Sequence, residues 1–201
     1  MARPRSFRVA IVGGGMTGLT AALHLDRLGI DFILLEAHWD ITPKVGASLA
    51  LYPNFQRVLD QLGVLDEARA ESSDLRRLTC RGLDGTVMFS HTIADKVRAE
   101  TGGYGIAGFT RTQLLKILHR NLSEAGKKKI LTGKRVERLE VLKGDEGVRV
   151  HLKGEDREFF EVDVVIGADG INSIVRSEMW RLAEEVDKNV KVFENDHAEG
   201  K

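Results

Sequence analysis

Gly13, Gly15 and Gly18 stand in GxGxxG spacing near the start of this chain, and Glu36 follows about 20 residues on, the separation a dinucleotide-binding fingerprint uses. Each residue type answers a physical need. The first glycine permits a tight turn, the second lets bare backbone approach a pyrophosphate, and the third lets a helix pack closely on the preceding strand. The head of that helix then offers unsatisfied N–H groups and a partial positive charge to phosphates. A carboxylate at Glu36 accepts hydrogen bonds from ribose hydroxyls and repels a 2′-phosphate, which favours the adenosine of FAD or NAD over that of NADP. Without the fingerprint, the same residues would be a structural glycine turn and a solvated glutamate at a strand end.

A second candidate is Gly167-Ala168-Asp169-Gly170, which ends the apolar run Val162 to Gly167 and leads to Ser173 and Arg176. Ligands of α/β sheets gather outside the carboxyl ends of strands, which favours a cofactor role for Asp169 over its competing role as a cap on the next helix. Arg111 is a third. Thr110 and Gln113 have capping-box spacing, so Arg111 is expected as the first residue inside a helix. Its side chain is then aimed at whatever lies beside the helix N-terminus, or held in a surface ion pair. The six histidines show no close ligand spacing, so no metal site is expected, and no GxSxG elbow supports a serine hydrolase. Trp39 and Trp180 read as packing residues rather than stacking platforms.

These residues need elements to hold them. Phe7 to Val12 is a short apolar run closed by glycine, as expected of a parallel strand covered on both faces. Leu19, Ala22, Leu23, Leu25 and Leu28 recur at helical spacing up to a cap at Gly29, and Ile30 to Leu35 is the next buried strand, completing a βαβ unit. Pro53 opens a helix with Phe55, Val58, Leu59 and Leu62 on one face, ending at Gly63. The helix from Thr110 carries Leu114, Leu115, Leu118 and Leu122, with Gly126 as its expected stop. Ile130–Leu131, Arg135–Leu142, Val148–Leu152 and Glu158–Val162 are expected as strands, with a hairpin turn at Lys143 to Gly147, and Val162–Gly167 as another buried strand. The fold class is therefore α/β with a mostly parallel sheet and an inserted antiparallel β segment at about residues 130–162. Residues 1–185 are expected to form the domain and 186–201 a polar, disordered tail.

Thirty Lys and Arg residues balance thirty Asp and Glu, so no long-range field recruits nucleic acid. Cys80 is the single cysteine, which excludes an internal disulfide and fits a reducing, cytoplasmic compartment. No stretch approaches the roughly 18 apolar residues that span a bilayer, and the run after the basic start is too short for a signal sequence.

In order along the chain, Gly13 to Gly18, Glu36, the segment Val45-Gly46-Ala47-Ser48-Leu49-Ala50-Leu51-Tyr52-Pro53-Asn54, the Arg111 of Phe109-Thr110-Arg111-Thr112-Gln113, and Gly167-Ala168-Asp169-Gly170 with Ser173 and Arg176 resemble the group A FAD-dependent monooxygenases. That superfamily comprises aromatic hydroxylases and epoxidases, and the likeness is greatest to the N-terminal half of its fungal secondary-metabolite branch. It implies a Rossmann-like FAD-binding domain of the GR2 type, FAD as cofactor, NAD(P)H as reductant, and a small hydrophobic substrate of terpenoid or polyketide type. It implies Glu36 on the adenosine ribose, and Gly46, Ala47 and Ala50 in a loop beside the ribityl chain or flavin ring. It further implies that Arg111 reaches the flavin, and that Asp169 and Gly170 serve the pyrophosphate and the approach of NADPH. Ala50 replaces a glycine frequent in the family. The family's second flavin motif and most of its substrate-covering sheet are missing, so a truncated form is expected, its open sheet covered by self-association or a partner protein. Three functions follow: a truncated monooxygenase, a non-catalytic remnant or FAD-binding module, and an NAD-linked dehydrogenase using Glu36.

Overall fold

The computed structural model describes residues 7–154 and 158–186. Its elements begin β1 Arg8–Val12, α1 Met16–Arg27, β2 Asp31–Leu35, β3 Ser48–Leu51, α2 Pro53–Gln61, α3 Leu65–Glu71, β4 Ser73–Asp74, β5 Leu78–Arg81, β6 Val87–His91 and α4 Ile93–Glu100. They continue with β7 Ala107–Thr110, α5 Arg111–Arg120, α6 Glu124–Lys127, β8 Ile130–Leu131, β9 Val136–Val141, β10 Val148–Leu152, β11 Phe159–Val162, β12 Val164–Gly167 and α7 Ile174–Val186. Two compact units result, Met1–Ile41 with Glu124–Lys201, and Thr42–Ser123. Val186 closes α7, and residues 187–201 of the expected polar tail lie outside the described residues. No helix among the described residues is long and apolar enough to cross a membrane.

The first unit is built on a parallel sheet in the order β12-β1-β2-β8. Ala10, Val12, Ile33 and Leu35 share a core with Leu139 and Val150 of the antiparallel β9–β10–β11 sheet. The alternate residues Val9, Ile11, Phe32 and Leu34 are buried as well, and α1 packs on β1 and β2. Cover on both faces is why these strands read as unbroken apolar runs, each large side chain contributing about 1.5–3 kcal/mol on burial. Gly29 ends α1 as expected: at φ +67° its N–H bonds Asp26 O while Ile30 N–H bonds Leu25 O, sending the chain straight into β2.

The expectation of a buried strand over Val162–Gly167 is corrected. Asp163 splits that run between two sheets, leaving Val162 in β11 and starting β12 at Val164. Arg8 N–H donates to Asp163 Oδ2 (2.6 Å) and Asp163 N–H to Arg8 O (2.9 Å), pinning the crossover. Among the described residues β12 pairs only with β1, as an edge strand, with Val164 42% exposed.

In the second unit β3, β7 and β4 form an antiparallel sheet, accompanied by α2, α3 and α5. Pro53 opens α2 and Thr110 with Gln113 closes a full capping box on α5, both as expected. Gly126 does not stop α5. That helix ends at Asn121, whose Nδ2 donates to Ile117 O (2.8 Å), and Gly126 lies within the separate α6. Ala50 lies in β3 opposite Gly108, where a loop was expected. The β5–β6 ribbon leaves Leu78, Val87, Met88 and Phe89 exposed.

α7 is tied to β9 by one buried carboxylate. Glu178, 8% exposed, accepts from Leu139 N–H (2.9 Å) and from Arg181 (2.8 Å), while Arg181 donates to Leu139 O (2.8 Å). The Arg181 guanidinium holds the Glu178 carboxyl below the usual range. A carboxyl depressed in the folded state stabilises above its unfolded pKa and loses that contribution as pH falls through the folded value. Glu178→Gln is therefore expected to cost about 1–3 kcal/mol at pH 7 in urea unfolding, with the gap to the parent protein closing below about pH 4.

Candidate dinucleotide site

β1 and β12 are neighbours running in parallel, so their carboxyl ends open on the same edge of the sheet. The chain leaves β1 through Gly13, at φ +101°, and leaves β12 through Ala168, whose N–H donates to Val12 O (2.8 Å). A Cβ at Gly13 would lie 2.5 Å from Ala168 O and 2.8 Å from Asp169 Cα, closer than any side chain can sit. A Cβ at Gly18 would overlap Gly13 O, so α1 lies directly on the turn. The two motifs thus meet through bare backbone.

Gly15 is the N-cap of α1 and gives it no side-chain cap, and its first turn carries no acidic residue. Its leading N–H groups are left for an anion, with the positive end of the helix dipole behind them. Glu36, at the end of β2, folds back onto this loop: Oε2 accepts from Gly14 N–H (2.6 Å) and Oε1 from His38 N–H (2.7 Å). A carboxylate has roughly four acceptor sites, so two donors leave room for hydroxyl groups.

The Asp169 side chain is occupied as a helix cap. Its Oδ1 accepts from the Ser173 hydroxyl (2.6 Å), and Oδ2 accepts from Ile174 N–H (2.7 Å) and Val175 N–H (3.3 Å) at the head of α7. Gly170, at φ +83°, completes the turn.

The remaining sequence candidates lie in the second unit. Arg111 is the first residue of α5, as expected, and its N–H donates to Ala47 O (3.2 Å). A Cβ at Gly46, where φ is +121°, would fall 2.8 Å from Arg111 Cδ, so the arginine stem runs over bare backbone. Gly46, Ala47 and Arg111 are one cluster, and Ala50 follows in β3.

Sequence reasoning missed the loop 37–41. Ile41 reaches back to Gly14, where a Cβ would collide with its Cδ1. Trp39, expected as a packing residue, rests on Gly133 but is 83% exposed. The available signal was a tryptophan three residues after Glu36, just past the end of β2.

A strand, a glycine turn that excludes side chains, an open helix head and a carboxylate at the next strand end define a dinucleotide-binding βαβ domain. The chain belongs to the FAD binding domain family, whose model matches residues 6–192. It is 38% identical over 188 residues to the FAD-dependent monooxygenase olcE of Penicillium canescens, covering 93% of this chain and 38% of that protein. The FAD-dependent monooxygenase ctvC of Aspergillus terreus is 36% identical over 178 residues, covering 89% of this chain and 36% of its own length. Among solved structures, the tetrameric form of 2-methyl-3-hydroxypyridine-5-carboxylic acid oxygenase aligns with a TM-score of 0.71 at 27% identity, over 88% of this chain and 43% of that one. Klebsiella pneumoniae HpxO, solved with FAD and uric acid, aligns with a TM-score of 0.70 at 27% identity, over 85% of this chain and 41% of that one. The chain spans well under half the length of these proteins.

The close approaches make Gly18 and Gly29 unequal. Gly18→Ala must push α1 off the turn and is expected to cost about 3 kcal/mol or more. Gly29→Ala, with no atom within 4 Å, meets only left-handed strain of about 1 kcal/mol. Urea midpoints of the two variants measure the difference, and equal losses would contradict the cradle.

Proposed function

We propose that this chain binds FAD and forms the cofactor-binding part of an FAD-dependent monooxygenase that hydroxylates or epoxidises a hydrophobic terpenoid or polyketide-type intermediate in secondary metabolism. The observation that carries the reading is the head of α1, which starts at Gly15 with no side-chain cap and no acidic residue in its first turn, beside the backbone contact of Gly13 with Ala168 and Asp169. Its leading N–H groups suit a diphosphate. Membership of the FAD binding domain family and likeness to FAD-dependent monooxygenases support FAD and oxygen transfer over an NAD-linked dehydrogenase.

FAD, when bound, would supply the redox chemistry, hydride acceptance from NAD(P)H and activation of O2. The roles of this chain's residues are binding and orientation. Gly13, Gly15 and Gly18 receive the pyrophosphate with the N–H groups of α1, and Glu36 accepts from the adenosine ribose. Gly170 lines the same diphosphate, while Asp169 fixes the turn through its grip on α7. Gly46, Ala47, Ala50 and Arg111 serve the flavin end, Arg111 as the fixed cation. No residue is assigned to the chemical step.

A second reading rests on the edge of β12, unpaired among the described residues, and on the exposed apolar β5–β6 ribbon. On it the chain is an FAD-binding module whose uncovered surfaces are met by another copy or a partner protein. Purified protein incubated with FAD is expected to turn yellow and retain flavin through gel filtration; a folded protein that stays colourless would end the proposal. Oxygen-dependent NADPH oxidation then separates the monooxygenase from the module. Glu36→Arg is expected to weaken FAD binding by about 10- to 100-fold, since it removes an acceptor and adds a cation.

A further inference from the structure

Trp39 occupies an unusual place for the largest apolar side chain. A Cβ at Gly133 would lie 2.5, 2.6 and 2.7 Å from three adjacent carbons of its six-membered ring. Near-equal distances to neighbouring ring atoms put Gly133 over the ring face, not beyond its edge. One face of the indole is therefore laid on backbone, and 83% exposure leaves the other open to solvent.

The platform is held in place. Gly133 N–H donates to His38 O (3.0 Å), and Lys134 N–H donates to Glu36 O (2.8 Å), locking the loop 36–39 to the turn between β8 and β9. His38 N–H in turn donates to the Glu36 carboxylate (2.7 Å). Glu36 and Trp39 are thus parts of one short turn fixed at several points. Only glycine at 133, with φ +70°, lets the ring lie flat on this turn.

We infer that Trp39 is the stacking surface for the adenine of the bound dinucleotide, its open face covering the base whose ribose is held by Glu36. The inference rests on the FAD-binding reading above. The base is joined to the ribose at the carbon beside the 2′-hydroxyl, so a carboxylate that takes the ribose brings the base against the adjoining turn. An exposed indole in the absence of a base keeps a large apolar face in water, and stacking removes it. Every base has a π-face, so the contact favours binding without reading the adenine edge.

The test uses the full chain, with FAD followed by flavin fluorescence and ADP by the tryptophan emission of a Trp180→Phe background. ADP carries no flavin to quench the indole by energy transfer. ADP is expected to quench Trp39 emission. Trp39→Ala is expected to weaken both FAD and ADP by about 5- to 100-fold, and Trp39→Phe, which keeps a ring, to stay within about 3-fold of the parent. Because Trp39 fills no core, urea unfolding of both variants should match the parent. Unchanged affinity of Trp39→Ala for FAD and ADP, or no quenching on saturation with ADP, would overturn the stacking role and leave FAD binding intact. Failure of the parent protein to bind either ligand would overturn the FAD-binding reading and this inference with it.

Discussion

Two parallel strands that lie side by side deliver their following turns to the same point, and there is room for both only if one has no side chain. Gly13 meets that constraint. Its left-handed φ and the 2.5 Å that would separate a Cβ from Ala168 O exclude every other residue without movement of β12. Because β12 pairs with β1 alone among the described residues, opening that contact would loosen this edge and with it the placement of α7. The glycine loop is thus a packing requirement of the sheet before it is a ligand site, and the site is a by-product of satisfying it.

The charges around this point are arranged to stiffen backbone. Glu36 and Asp169 both direct their carboxylates at N–H groups, the first at the glycine loop and the turn behind it, the second at the head of α7. Charge-assisted hydrogen bonds of this kind are roughly twice as strong as neutral ones. They leave two helix ends distinguished: α7 is capped by an acidic side chain, whereas α1 begins at a glycine with no side-chain cap. The leading N–H groups of α1 therefore have no side-chain acceptor, whereas those of α7 already have one.

Much of this was legible in the sequence because it is local. The βαβ unit, the Gly29 cap, the Pro53 start and the Thr110–Gln113 capping box depend on residues a few positions apart, and each was read from spacing. What was not legible depends on partners distant along the chain. Asp163 looks like a blemish in an apolar run until its bonds to Arg8 appear, and then it divides two sheets. Ala50 reads as loop because the pairing that makes it strand is with Gly108. The β5–β6 ribbon lacks a buried face and so has no alternation to betray it. At the candidate site, the glycines and Glu36 were identified by type, but the cap geometry of Asp169 had stood as the less favoured of two options. Trp39 reads from the sequence as a packing residue, since nothing nearby in sequence announces that Gly133 offers it an exposed seat.

One diphosphate is expected to touch two turns that are far apart in the chain. Backbone amide shifts of isotope-labelled protein titrated with inorganic pyrophosphate test this directly. The amides of residues 13–18 and of 169–170 are expected to move together with a single dissociation constant. Movement at one turn alone, or at neither, would contradict the account.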